Sequence, residues 1–260
     1  MALLSVENLT KSFGGLTAVS NANITIEEGE LIGLIGPNGA GKTTLFNLIT
    51  GVYVPTSGKI LVNHKGKTKD IGGMKPYNIT KMGFGRTFQN IRLFNDLTVL
   101  DNVRIAMHQN VEYSLPSSLL RLPSFFKGEK KQTEEAIELL RIFKLENKQN
   151  EFAKNLPYGE QRHLEIIRAL ATKPFLLLLD EPAAGMNPAE TAELTQSIKW
   201  IRDNFQITVL LIEHDMSLVM NLCERIYVLD YGTMIASGTP KDIQGNPRVI
   251  EAYLGGDIDA

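Results

Sequence analysis

The chain has 260 residues, 43% of them hydrophobic and 22% charged, enough to bury a full core in one large domain or a domain with a subdomain. A formal net charge of −2 offers no electrostatic case for nucleic acid as the main partner, and the lone Cys223 provides neither a disulfide framework nor a thiolate metal site. The longest wholly apolar run, Phe175 to Leu179, is far short of the ~18 residues of a membrane span, and MALLSVENLTK lacks a signal core, so no segment is expected to cross a membrane.

Leu3 to Asn8 and Ala22 to Ile26 alternate apolar and polar residues, which predicts half-exposed antiparallel strands on either side of a turn at Ser12-Phe13-Gly14-Gly15. Phe13 sits where an aromatic could stack on a purine, and equally where it could pack on a neighbour. Leu31, Ile32, Leu34 and Ile35 then form the near-continuous apolar run of a parallel strand buried on both faces. Gly36 breaks it. From Gly36 to Thr43 the chain fits G-x-x-x-x-G-K-[ST], in which backbone N–H groups wrap phosphate oxygens. Lys42 would reach the β- and γ-phosphates, and Thr43 would offer its hydroxyl to Mg²⁺. A helix from about Thr44 through Ile49 would aim its N-terminus at the same anion, with Gly51 ending it.

Downstream, Pro55 to Gly58 predicts a turn, Lys59 to Val62 a short strand, and Asn63 to Asp70 a polar surface loop. GFGRTFQ predicts another short strand ending at Gln89, and Thr98, with Asp101 three residues on, caps a helix start. From there to about Lys148 the pattern is mainly helical, with a loop or broken helix at Ser114 to Pro123 and helix resuming from Glu134 to Phe143. A helix from Glu160 to Thr172 leads to a buried strand, Phe175 to Leu179. Asn187-Pro188-Ala189-Glu190 starts a helix running to about Asn204. Strand Ile207 to Ile212, helix Ser217 to Glu224, and a hairpin of Ile226 to Asp230 and Thr233 to Ser237 about Tyr231-Gly232 follow, before a polar helical tail from Pro240 to Leu254. The fold expected is α/β, with a helical subdomain inserted into the core.

Asp180 and Glu181 close the apolar run LLLL, at the strand end where open α/β sheets place ligands. Asp180 would hold Mg²⁺ through water, and Glu181 could orient or deprotonate the water that attacks a γ-phosphate. His214 lies just past another buried strand, a position that favours a part in the same site. Gln89 gains weight only from the whole pattern.

The order GPNGAGKT, TFQ, LPYGEQ, LLLLDEP, AGMN and IEHD resembles the ATP-binding cassette ATPases, a P-loop NTPase family, across nearly the whole chain. The resemblance implies a phosphate cradle of Gly36, Pro37, Asn38, Gly39, Ala40, Gly41, Lys42, Thr43 and Thr44, with ATP and Mg²⁺ as its ligands. It also implies Gln89 as a Q-loop residue near the metal, a signature at Leu156 to Glu160 (with Tyr158, Gly159 and Glu160 toward nucleotide), catalytic Glu181, a D-loop near Gly185 to Asn187, and a switch histidine at His214. The RecA-like core with its antiparallel β-layer would span about 1–90 and 173–260, and the helical subdomain about 91–172. Such chains work as head-to-tail dimers with ATP between one subunit's P-loop and the other's signature.

Further details, among them GRTFQNIRLF, YGEQRHLEI, DEPAAGMNP and LLIEHDMSLVM, are similar to the LivG-type branch that serves branched-chain amino acid importers. That branch implies two transmembrane permease subunits, a second, LivF-like ATPase or a second copy of the chain, an external amino-acid-binding protein, and a peripheral place on the cytoplasmic face of the inner membrane. Other cargoes, such as lipopolysaccharide or urea, stay open from these residues. The signature departs from Leu-Ser-Gly-Gly-Gln: Pro157 replaces the serine, whose lost hydrogen bond to a charged group is worth roughly 1.5–3 kcal/mol, and Tyr158 follows. Pro157 is expected to pre-organise the helix start, and Asn187 stands at the usual D-loop aspartate, where N-capping alone suffices to explain it. These departures put the equivalence of two ATP sites in doubt and favour a heterodimer.

Overall fold

The computed structural model describes residues 2–108 and 123–254. The chain divides into two compact units, Met1–Phe84 with Phe175–Ala260, and Gly85–Pro174.

The first unit opens with an antiparallel hairpin of β1 (Leu4–Phe13) and β2 (Leu16–Ile26). β3 (Leu31–Ile35) follows, buried at all five residues, then α1 (Lys42–Ile49). α1 begins two residues before the sequence expectation, and Gly51 (φ +74) turns the chain beyond it where a Cβ would lie 2.1 Å from the Met74 carbonyl oxygen. β4 (Ser57–His64) and β5 (Lys67–Asp70) come next. They correct the expected loop at Asn63 to Asp70. Lys65 (φ +52) and Gly66 (φ +73) supply the two left-handed residues of a tight hairpin that pairs His64 with Lys67. Every residue of β5 is exposed, so the strand has no apolar alternation to betray it. The resulting sheet has the order β2-β1-β4-β5.

After α2 (Pro76–Lys81), the chain enters β6 (Phe84–Arg86), which stops three residues short of the expected end at Gln89. β6 is the edge of a second sheet, the order of which is β10-β9-β3-β8-β7-β6. Its centre is parallel: Leu31 to Leu34 of β3 pair with Val209 to Ile212 of β8 (Thr208–Ile212), and β8 pairs along its length with β7 (Leu176–Asp180). All residues of β7 and β8 are buried, as strands covered on both faces require. β9 (Arg225–Asp230) adds a parallel neighbour to β3, and β10 (Thr233–Gly238) returns antiparallel through Tyr231 (φ +41) and Gly232 (φ +76).

The second unit is helical: α3 (Val99–Met107), α4 (Pro123–Arg141) and α5 (Tyr158–Ala171), with 3₁₀ turns at Glu146–Lys148 and Ala153–Asn155. The Thr98 side chain caps α3, accepting from the Asp101 N–H at 3.0 Å. Pro123, expected to lie in a loop, is instead the first described residue of α4, well before the expected restart at Glu134; the rest of that expected loop, 114–122, lies outside the described residues. Back in the first unit are α6 (Pro188–Phe205), α7 (Met216–Leu222), α8 (Pro240–Gln244) and α9 (Pro247–Leu254). α6 starts on a capping box: Asn187 Oδ1 accepts from the Ala189 and Glu190 N–H groups at 2.9 and 3.0 Å, and Glu190 accepts from the Asn187 N–H at 2.9 Å.

Candidate functional site

Because β3, β8 and β7 are parallel neighbours, the loops that follow them emerge at one edge of the sheet. Those loops carry Gly36 to Gly41, His214, and Glu181, with Asp180 closing β7 itself. Loops at the carboxyl ends of adjacent parallel strands are the ligand site that an open α/β sheet offers.

In the loop after β3 the backbone approaches its neighbours too closely for side chains. A Cβ on Gly36 (φ +151) would lie 1.9 Å from the Leu229 carbonyl oxygen, and one on Gly41 (φ +102) 2.3 Å from that of Ala18. Lys42 is only 6% exposed and its Nζ donates to the carbonyls of Gly36 at 2.7 Å and Pro37 at 2.9 Å, which centres the ammonium within the loop. Burial lowers its pKa, opposed by the charges of Glu181 and Asp180. Asn38 and Gly39 on the loop and Thr43 at the start of α1 are exposed. A cleft of about 970 Å³ runs beside Gly36–Ala40, with His214, Asp230, Arg248 and Tyr253 among its walls.

Asp180 is 2% exposed at the end of β7. Glu181 takes a left-handed conformation (φ +48), uncommon for a residue with a side chain, while its N–H donates to the Ile212 carbonyl at 2.9 Å. Its Oε1 lies 2.6 Å from His214 Nε2. The two residues singled out separately in the sequence are thus brought into direct contact. His214 is the more open of the two, its side chain 45% exposed against 12% for Glu181.

Sequence reasoning missed Glu213. Its buried carboxylate accepts from the N–H groups of Ala183 at 2.7 Å, His214 at 3.0 Å and Asp215 at 3.4 Å, tying the loop after β7 to the loop after β8. Burial raises its pKa, against the three backbone donors that pull it down. The only signal was a carboxylate directly after the apolar run of β8, which reads as an ordinary strand end. Phe13 packs edge-on against Tyr53 with ring centroids 5.2 Å apart, has Lys11 Nζ 4.9 Å from its centroid, and keeps 42% of its surface exposed. Phe13 thus packs on a neighbour while staying partly exposed.

In the helical unit, Gln89 is exposed on the loop after β6, where the Arg86 and Arg92 guanidinium groups lie 5.0 and 4.2 Å from the Phe88 ring centroid. Pro157 is the N-cap of α5, one position before the first helical residue, Tyr158. Tyr158 is 49% exposed and its hydroxyl accepts from Arg162 Nη2 at 3.2 Å. The Glu160 carboxylate is held by Lys148 Nζ at 2.7 and 2.6 Å, which leaves the α5 backbone and Tyr158 as the groups this turn presents.

Among the described residues no group of three or more His, Cys, Asp or Glu is arranged to hold a metal. The Thr43 hydroxyl and Asp180 carboxylate are instead hard oxygen donors of the number Mg²⁺ takes from a protein when phosphates and water complete its shell. No helix among those residues is long and apolar enough to cross a membrane.

A glycine-lined phosphate loop, a buried lysine and a carboxylate–histidine pair on adjacent parallel strands define a P-loop nucleotide-binding protein. Residues 19–184 match the ABC transporter family, and residues 233–259 match the family described as branched-chain amino acid ATP-binding cassette transporter. The chain is 48% identical over 253 residues to the high-affinity branched-chain amino acid transport ATP-binding protein LivG of Escherichia coli K12, covering 97% of this chain and 98% of that one. It is 44% identical over the same length to BraF of Pseudomonas aeruginosa, with the same coverage. The ADP conformation of MJ1267, an ATP-binding cassette of an ABC transporter, superposes with a TM-score of 0.82 at 32% identity, covering 98% of this chain and 99% of that one. The chain belongs to the ATP-binding cassette transporter family.

Proposed function

We propose that this chain is the ATP-hydrolysing subunit of an importer for branched-chain amino acids. The observation that carries the hydrolytic part is the contact of His214 Nε2 with Glu181 Oε1 at 2.6 Å, at the sheet edge that also bears the Lys42 loop. Lys42 and the N–H groups from Gly36 to Thr44 bind and orient the phosphates. Thr43 and Asp180, together with Gln89 as the family resemblance implies, would hold Mg²⁺, which would supply charge neutralisation to the phosphates. Glu181 orients the attacking water and takes its proton, and His214 holds the Glu181 carboxylate in place. Phe13, which keeps 42% of its surface exposed, would stack on the adenine.

The cargo rests on two likenesses: the match over residues 233–259, and relatives named for branched-chain amino acid transport. With it go a pair of membrane-embedded permeases, an external amino-acid-binding protein, a second cassette subunit in head-to-tail contact, and a peripheral position on the cytoplasmic face of the membrane. Pro157 and Tyr158 in place of Ser-Gly make the site facing this chain's signature the weaker one, which favours a LivF-like partner over a second copy.

ATP turnover by the purified chain tests this. Glu181→Gln is expected to lower kcat by about 10²–10⁴-fold with nucleotide still bound, and Lys42→Ala to lose binding as well. Turnover unchanged in Glu181→Gln would overturn the assignment of the base.

A further inference from the structure

The helix that opens at the signature also grips the loop that carries Gln89. Arg162, one turn into α5, is wholly buried, as is Glu165 at 4% exposure, and the two are paired at 2.9 Å. Arg162 Nη1 donates to the Phe88 carbonyl at 2.6 Å and Nη2 to the Gln89 carbonyl at 2.7 Å. Glu165 Oε1 accepts from the N–H groups of Phe88 at 3.3 Å and Arg92 at 3.2 Å. One helical turn further on, Arg168 Nη1 donates to the Arg92 carbonyl. These three side chains, spaced three apart, lie along one face of α5 and satisfy backbone groups from Phe88 to Arg92 that no strand ladder satisfies.

We propose that Arg162 and Glu165 are positioning residues for Gln89, clamping its loop to the signature helix so that Gln89 and the first turn of α5 move as one body. The inference rests on the proposed ATPase function, within which Gln89 reaches the metal. Burial is what gives the pair its hold: a buried guanidinium fork fixes two carbonyls at once, whereas a lysine at the same place offers a single point donor. Arg162 also donates to the Tyr158 hydroxyl, so the clamp extends to the altered signature residue itself. Engagement of α5's first turn by a partner would then be transmitted to the Gln89 loop through side chains, without passing along the backbone.

The test compares the full chain with Arg162→Lys, Glu165→Gln and Gln89→Ala, by amide hydrogen exchange and by ATP turnover across a Mg²⁺ titration. In the first two variants, exchange at 88–92 is expected to rise about tenfold or more while α4 and the far end of α5 stay within about twofold, since loss of the clamp opens the loop locally. Their kcat is expected to fall about as far as that of Gln89→Ala, roughly tenfold, with more Mg²⁺ needed for half-maximal turnover and ATP affinity in its absence unchanged. Glu165→Gln keeps an acceptor for the Phe88 and Arg92 N–H groups, so it is expected to retain more activity than Arg162→Lys; it also remains informative if the arginine variant fails to fold. Unchanged exchange at 88–92, or a loosened loop with wild-type kcat and Mg²⁺ dependence, would overturn the proposal. Wild-type turnover in Gln89→Ala alone would instead overturn the metal role of Gln89 in the proposed function, an outcome distinct from the clamp that exchange reads directly.

Discussion

Glu213 illustrates how one carboxylate holds two loops. Truncating it to Ala leaves the N–H groups of Ala183, His214 and Asp215 without their acceptor, at a cost of about 1–3 kcal/mol for each group that stays buried and unpaired. Glu213→Ala is therefore expected to lower kcat through misplacement of the Glu181–His214 pair and to lower Tm, with nucleotide affinity kept because Lys42 is untouched; steady-state kinetics and a thermal melt read both. Cys223 marks the opposite case, a group with no polar task. Burial pushes its thiol from an ordinary value near 9.0 up to about 12. The folded chain is expected to resist a thiol-directed reagent at pH 8 and to react on unfolding. The same shift carries a sign: above pH 9.0 the unfolded chain gives up this proton while the folded chain keeps it to about 12, so Cys223's contribution to stability falls as pH rises through that window. A Cys223→Ala variant should lose less stability over that range, by denaturant titration.

At the scale of elements, the capping box of α6 can be tested alone. Asn187→Ala removes one acceptor from two N–H groups and should cost about 1 kcal/mol, a fall of roughly 2–4 °C in Tm for a chain of this size. If Asn187 serves only to cap, turnover at a temperature well below the melt will be unaffected. Elements written in local chemistry were readable from the sequence: the β3–loop–α1 passage, the Thr98 and Asn187 caps, and the Tyr231-Gly232 hairpin all depend on residues within a few positions of one another. β5 was not, because Lys67-Thr68-Lys69-Asp70 is polar throughout and only its hairpin turn, Lys65-Gly66, signals pairing. Lys42, Asp180, Glu181 and His214 could be picked out as candidates for a similar reason, each standing at the end of an apolar run or inside a glycine-rich loop, and the structure gathers them at one sheet edge. Arg162 and Glu165 were invisible, since their partners on the Gln89 loop lie 73 to 77 positions earlier in the chain, and a charged pair on a helix reads as solvated surface until its burial is known.

For the whole molecule, each unit carries its own part of the candidate site. One places the Gly36–Gly41 loop, Asp180, and the Glu181–His214 pair at a single sheet edge; the other joins α5 to the loop at Phe88–Arg92 through buried side chains. Neither has a helix among its described residues that is long and apolar enough to cross a membrane. The proposal that this chain drives amino-acid uptake is tested most directly by radiolabelled leucine uptake in host cells lacking the native copy and any second leucine importer, supplied with either the wild-type chain or Glu181→Gln at matched protein levels. The wild-type chain should restore uptake and Glu181→Gln should not. Equal uptake with the two chains would contradict the proposal that hydrolysis at Glu181 drives import.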